Sequence, residues 1–182
     1  MSDTNYTKPD VPGCIQVYTG NGKGKTTAAL GLTMRALGRG KRVCFFQFIK
    51  GSGPFGEQLL AKELGPQLTM IQTGKPGWVN LKDITEDRRV AQESLEMAKK
   101  ELLSGEYDLF VCDEINGAVA FGLIDVDQVL ALMHDKPVHT ELVLTGRNAA
   151  QEVLDAADLV TEMREIKHYY NSGVPARIGI EM

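Results

Sequence analysis

The stretch CIQVYTGNGKGKTTAALG, residues 14–31, constrains the fold more tightly than any other part of the chain. An apolar run passes through Gly20, Gly22 and Gly24 straight into a helical pattern that starts at Lys25. Glycines at this spacing let the backbone turn tightly enough for consecutive N–H groups to converge on phosphate oxygens. The helix adds its positive dipole end, Lys25 a full charge, and Thr26 a hydroxyl suited to Mg2+. The G-K-T-T ending is that of a Walker A loop. Counting back from Gly24, however, puts Thr19 where the first glycine of G-x-x-x-x-G-K-[ST] belongs. Either a nucleotide hydrolase carries an altered loop, or the loop serves a different reaction on the same nucleotide.

The rest of the chain repeats the strand-then-helix rhythm. Apolar runs at 14–19, 42–48, 68–73, 108–114, 141–146 and 158–163 read as strands. A helix is expected from Lys25 to about Leu37, closed by Gly38 and Gly40. A second opens on a capping box, Asp83 with Glu86, and turns Ala91, Leu95, Ala98 and Leu102 to one face. A third opens on Asp125 with Gln128 and faces Val126, Val129, Leu130 and Met133 inward; a fourth opens on Asn148 with Gln151. Doubly buried strands alternating with helices predict an α/β fold, a parallel sheet with helices on both faces. Ligands of such sheets bind at the carboxyl ends of the strands, where Thr19, Gln47, Asp113 and Gly146 fall.

With 182 residues, 43% of them hydrophobic, the chain suits one domain with a sizeable core. Residues 1–12 read as a short polar arm and 13–182 as a single catalytic domain. A net charge of −4 argues against broad nucleic-acid binding. No apolar run approaches the roughly 18 residues that cross a bilayer, and the polar start lacks a signal-peptide core, so a cytoplasmic protein is expected. Cys14, Cys44 and Cys112 sit in apolar runs without CxxC spacing and are expected to be buried free thiols.

The strand LFVCDE ends in Asp113-Glu114, the Walker B pattern, which places a carboxylate to hold Mg2+ directly or through water. Alternation points the two side chains opposite ways, and spacing alone does not choose between them. Lys23, a second cation in the loop, stands either as a solvated charge or as a triphosphate contact. No asparagine is followed by lysine, so the guanine-reading N-K-x-D is absent, as is an arginine-rich kinase lid. His134 and His139 read as surface residues and His168 as structural. No nucleophile–base pair stands out.

Taken together, GNGKGKTTAALGLTMRALGRGKRV, QFIKG, VCDEIN, LVLTGRNA, ADLVTEM and EIKH…GVPARIGIE resemble the ATP:corrinoid adenosyltransferases over nearly the whole of 13–182. In that family Thr19 is the normal residue at the loop's start. The resemblance implies a RecA-like P-loop fold, a homodimer, and transfer of the 5′-deoxyadenosyl group from MgATP to a Co(I) corrinoid with release of triphosphate. ATP would contact Gly20, Asn21, Gly22, Lys23, Gly24, Lys25, Thr26, Thr27 and Arg35. Mg2+, with Mn2+ as an alternative, would be held by Thr26 with Asp113 or Glu114, and Lys25, Thr26 and Glu114 would carry the catalytic burden. Arg147 in TGRN matches a family position near the corrinoid. Trp78 in TGKPGWVNL is the single counterpart of an aromatic–x–Trp stretch beside the corrin; packing of its own loop is the other reading. The short arm leaves a family lid reduced or absent. A reduced flavoprotein is the expected donor of electrons to Co(II). The competing function is a P-loop ATPase or phosphotransferase that cleaves the γ-phosphate.

Overall fold

The computed structural model describes residues 11–51, 53–77 and 79–182. Ser52, Trp78 and most of the expected N-terminal arm, residues 1–10, lie outside them. The elements run β1 (Ile15–Thr19), α1 (Lys25–Leu37), β2 (Val43–Gln47), α2 (Gly56–Glu63), β3 (Leu68–Gln72), α3 (Thr85–Leu103), β4 (Leu109–Asp113), α4 (Ile115–Ala120), α5 (Val126–Asp135), β5 (Glu141–Thr145), α6 (Gln151–Asp155) and β6 (Leu159–Glu162).

All six strands pair in parallel in the order β3-β2-β4-β5-β1-β6. Parallel neighbours need a crossover, and right-handed crossovers tie the direction of travel to the face that is covered. From β1 to β2 to β3 the chain moves one way, and α1 and α2 cover one face. It then returns through β4 and β5 to β6, and α3, α5 and α6 cover the other. The product is a P-loop α/β fold of the RecA-like type, with β5 lying between the strand of the glycine loop and the strand of the acidic pair.

Strand alternation sorts the core into two layers. Val43, Phe45, Leu109, Val111 and Val143 face α1, packing with Ala29. Cys44, Phe46, Phe110, Cys112, Leu142 and Leu144 face α3 and α5, packing with Leu95, Leu102 and Leu132. The row facing α1 continues along each strand to Gln47, Asp113 and Thr145, all with no exposure. Period-two alternation thus aims three buried polar side chains at the same side of the sheet's carboxyl edge.

Several local expectations change. Helices α2 and α4 were not anticipated: α2 buries no residue, and α4 follows β4 after a single residue, Glu114. At α3, Asp83 accepts the Thr85 N–H at 3.1 Å, while Glu86 turns to Arg89 instead of closing the box. The box at α5 is complete, with Gln128 accepting the Asp125 N–H at 3.0 Å. Ala150, not Asn148, caps α6, because Asn148 is used in the preceding turn at φ 54°. Cys44 and Cys112 are buried free thiols, whereas Cys14 precedes β1 and is half-buried.

Phe46 is fully buried in the layer facing α3, its ring centroid 4.8 Å from that of Phe48. Phe46→Ala should lower unfolding free energy by about 3–5 kcal/mol, from lost transfer energy plus the cavity left behind. Urea titration should show a lower midpoint with an unchanged slope. A loss below about 1 kcal/mol would mean that this layer collapses around the gap.

Candidate active site

The glycine loop joins β1 to α1, and its conformation explains its composition. Gly20 and Gly24 take φ values of 92° and 124°, which side chains resist. Gly22 is needed for space: a Cβ there would stand 2.7 Å from the Met163 carbonyl, which instead accepts the Gly22 N–H at 2.7 Å. The loop is therefore backed by the segment that leaves β6. Lys25 is buried and curls over the loop, its Nζ donating to the carbonyls of Gly20 at 2.7 Å and Gly22 at 2.9 Å. Burial pushes its ammonium below the ordinary lysine range; Glu114 pulls it up, Arg147 pushes it down, and Asp113 pulls it up.

Asp113 closes the site from β4. Its Oδ1 accepts the hydroxyls of Thr26 at 2.9 Å and Thr145 at 2.6 Å. Its Oδ2 accepts from Lys50 Nζ at 2.6 Å, and the same ammonium lies 3.4 Å from Thr26 Oγ1. Of the two acids, Asp113 is the one in contact with the loop. Glu114 adopts φ 65° and turns toward α4, where a Cβ on Gly117 would lie 3.2 Å from its Oε2. Burial, then the charge of Asp113, raises the Glu114 carboxyl above the ordinary range, against the opposing pull of Lys50, Lys25 and Arg147.

The structure thus gathers Gly20, Gly22, Gly24, Lys25, Thr26 and Asp113 at one place, with Glu114 and Arg147 close enough to act on Lys25. Asn21, Lys23 and Thr27 are exposed around the rim. Arg35 is not brought there: it lies in the last turn of α1, ten residues beyond Lys25 and so ~15 Å along the axis. Trp78 lies outside the described residues. Its flanking segment packs on α3, with Lys75 Nζ 3.4 Å from Asp87. Lys50 and Thr145 were missed. Thr145 could have been found from alternation, two residues beyond Val143; Lys50 falls in the resembling segment QFIKG, but alternation does not bring it to Asp113. The histidines are engaged elsewhere, His139 on the Gly105 carbonyl and His134 on Asp135.

Among the described residues no cluster of three or more His, Cys, Asp or Glu side chains could hold a metal. The donor set fits Mg2+ in another way. Hard oxygens from Thr26 and Asp113 converge, and a cation, the Lys50 ammonium, already stands on both. Mg2+ commonly takes one or two protein oxygens and completes its shell with water and substrate phosphates. No helix among the described residues is long and apolar enough to cross a membrane.

Comparison with known proteins gives a family match. The model of the ATP:corrinoid adenosyltransferases BtuR/CobO/CobP matches residues 12–182. A corrinoid adenosyltransferase of Escherichia coli K12 is 37% identical over 172 residues, 94% of this chain and 87% of that protein. The corrinoid adenosyltransferase CobA of Salmonella typhimurium is 37% identical over 169 residues, 93% of this chain and 85% of its own. A corrinoid adenosyltransferase of a Sinorhizobium species is 39% identical over 177 residues, 96% of this chain and 83% of its own. The crystal structure of flagellar accessory protein FlaH from Methanocaldococcus jannaschii shares the fold, with a TM-score of 0.57 at 15% identity over 84% of this chain and 72% of its own.

Two outcomes follow from the geometry. Lys25→Ala should weaken ATP binding by about one to two powers of ten, the loss of a charge-assisted contact worth about 1.5–3 kcal/mol. Calorimetry with ATP alone reads it, and an unchanged affinity would remove Lys25 from the phosphate cradle. The second concerns pH, in protein free of nucleotide and metal. The Glu114 carboxyl binds its proton more tightly folded than unfolded. Its stabilising contribution is present in acid and is lost as pH rises from about 4.5, the ordinary value, through the raised one. Glu114→Gln should therefore gain Tm over wild type progressively across that window. A difference that stays flat with pH would show Glu114 to be a solvated carboxylate.

Proposed function

The chain belongs to the family of ATP:corrinoid adenosyltransferases, and we propose that it transfers the 5′-deoxyadenosyl group of MgATP to the cobalt of a Co(I) corrinoid, releasing triphosphate, in adenosylcobalamin biosynthesis or salvage. The observation that carries this reading is the meeting of Lys25, Thr26 and Asp113 at the glycine loop, on a chain matched by the family from 12 to 182.

The chemistry asks little of acid–base residues. A Co(I) centre donates an electron pair to the ribose C5′, the bond from C5′ to the α-phosphate oxygen breaks, and triphosphate leaves with that bond's electrons. No proton need be taken from the nucleophile. What the protein must supply is alignment and a place for a highly charged leaving group. Loop N–H groups after Gly20, Gly22 and Gly24, with the first turn of α1, provide donors. Lys25 is preorganised by its grip on two loop carbonyls and can exchange those for phosphate oxygens. Lys23 on the rim adds a further positive charge along the chain of phosphates, Asn21 and Thr27 beside it add uncharged hydrogen-bonding groups, and Arg147 is proposed to serve the corrinoid side. Thr26 and Asp113 would hold Mg2+ or Mn2+, which supplies further charge to the phosphate oxygens when bound. Glu114, set beside Asp113 and raised in pKa, would support the metal's hydration from the second position. Arg35 sits too far along α1 to join this cradle within its own protomer.

The same reading includes a homodimer working in the cytoplasm, as one catalytic domain spanning 13–182, with Co(II) reduced by a flavoprotein. Exposed apolar residues give a second copy a surface to cover: Leu159 and Val160 on the edge strand β6 are 43% and 45% exposed, and Ile166 and Ile178 nearby in sequence are 87% and 90% exposed. Trp78 and the segment around it are proposed to face the corrin.

With MgATP and a chemically reduced corrinoid, the protein should form a light-sensitive Co–C bond, and its ATP consumption should stop when the corrinoid is left out. ATP turnover to ADP and orthophosphate at a comparable rate without corrinoid would replace this function with that of a P-loop hydrolase.

A further inference from the structure

Lys50 bridges the two oxygen donors at the centre of the site without being needed for the transfer itself. Its Nζ lies 2.6 Å from Asp113 Oδ2 and 3.4 Å from Thr26 Oγ1, so it touches both residues proposed as metal ligands. Asp113 has no exposure, and the Lys50 side chain retains 22%. One end of this pair is closed off from water and the other can reach it.

The placement is built into the backbone. Ile49 is held at φ 49°, a conformation that a β-branched residue adopts only when its surroundings impose it. The Lys50 N–H donates to the Thr73 carbonyl at 3.0 Å, and the Thr73 N–H to the Gln47 carbonyl at 2.9 Å. A Cβ on Gly51 would lie 2.0 Å from the Lys75 carbonyl, so the two segments run backbone against backbone. The turn after β2 is thereby locked with Lys50 aimed back over the end of β4.

An ammonium and a divalent ion cannot both lie against one carboxylate without strong mutual repulsion. We propose that Lys50 is a positioning residue. It occupies the cation position of the cradle while nucleotide is absent, holding Asp113 and Thr26 together, and it passes to the triphosphate chain when metal and nucleotide arrive. This rests on Thr26 and Asp113 being the metal's protein ligands. Metal alone would have to expel Lys50 from a buried carboxylate and leave its charge without a partner. Metal with nucleotide gives the displaced ammonium phosphate oxygens to meet. Lys50 therefore couples the two binding events, disfavouring metal without nucleotide and favouring the pair.

The test is a titration of Mn2+ followed by EPR on the full chain, without corrinoid and without turnover, comparing wild type, Lys50→Met, Lys50→Arg and Asp113→Asn. Without nucleotide, Lys50→Met should bind Mn2+ at least about tenfold more tightly than wild type, because the competing charge is gone. With Mn2+ present, its affinity for ATP should fall by about tenfold. Lys50→Arg should keep the weak Mn2+ binding of wild type. Equal or weaker Mn2+ binding by Lys50→Met would overturn the proposal, as would undiminished ATP affinity. Should Lys50→Met fail to fold, Lys50→Gln carries the same comparison, and its thermal unfolding should be rescued by Mn2+ without nucleotide; no rescue would count against the coupling. Asp113→Asn separates the two levels. If it keeps wild-type Mn2+ binding in the presence of ATP, the metal-site assignment falls; if it loses that binding while Lys50→Met gains nothing, only the role of Lys50 falls.

Discussion

One wholly buried carboxylate holds this site together. Asp113 accepts hydrogen bonds from Thr26, Thr145 and Lys50, and each comes from a different part of the chain: the first turn of α1, the end of β5 and the turn after β2. A charge without exposure is costly unless its oxygens are satisfied, so these three donors cannot drift independently. Removing one partner of such a pair costs about 3–5 kcal/mol, because an uncompensated charge is left inside. The requirement therefore fixes the glycine loop relative to the strands more firmly than apolar packing alone would.

Strain is concentrated along the same edge. Among the described residues, the non-glycine positions with positive φ are Ile49, Glu114 and Asn148, just past the ends of β2, β4 and β5. Conformations of this kind persist only where surrounding contacts over-determine them. Here those contacts are visible: Gly74 is so close to Ile49 and Lys50 that a Cβ on it would stand 2.8 Å from their backbone, and Gly146 would meet Gly117 N at 2.6 Å. The sheet's carboxyl edge thus holds the loops close, while its cations, Lys25 on loop carbonyls and Lys50 on Asp113, remain exchangeable for an incoming anion.

Much of this could be read from the sequence, and the reasons differ by level. Strand–helix alternation and the runs around Val43, Leu109 and Leu142 made the parallel sheet legible, because the central strands β2, β4 and β5 are buried on both faces, whereas the edge strand β6 is exposed along its length. Helices α2 and α4 escaped notice because the first buries nothing and the second reads as apolar continuation of β4. The glycine loop, Thr26 and Asp113 were legible because phosphate and Mg2+ chemistry demands those residue types at those places. Choosing Asp113 over Glu114 as the residue facing the loop needed only the parity of Leu109 and Val111, once the face covered by α1 was known. Lys50 was legible only as part of QFIKG, one of the segments that carry the resemblance: its place on Asp113 comes from the Ile49 turn, and no spacing records that turn. Arg35 shows the opposite case, in which a residue matched by resemblance is carried away from the loop by helix geometry.

The most direct measurement asks which bond of ATP is broken. ATP carrying oxygen-18 between C5′ and the α-phosphorus would be incubated with the protein and a reduced corrinoid, and the products read by phosphorus NMR. Attack of cobalt on C5′ predicts intact triphosphate with the label retained on its terminal phosphate, in amounts equal to the adenosyl groups transferred. ADP and orthophosphate, with the label still bridging ribose and phosphorus, would contradict the account.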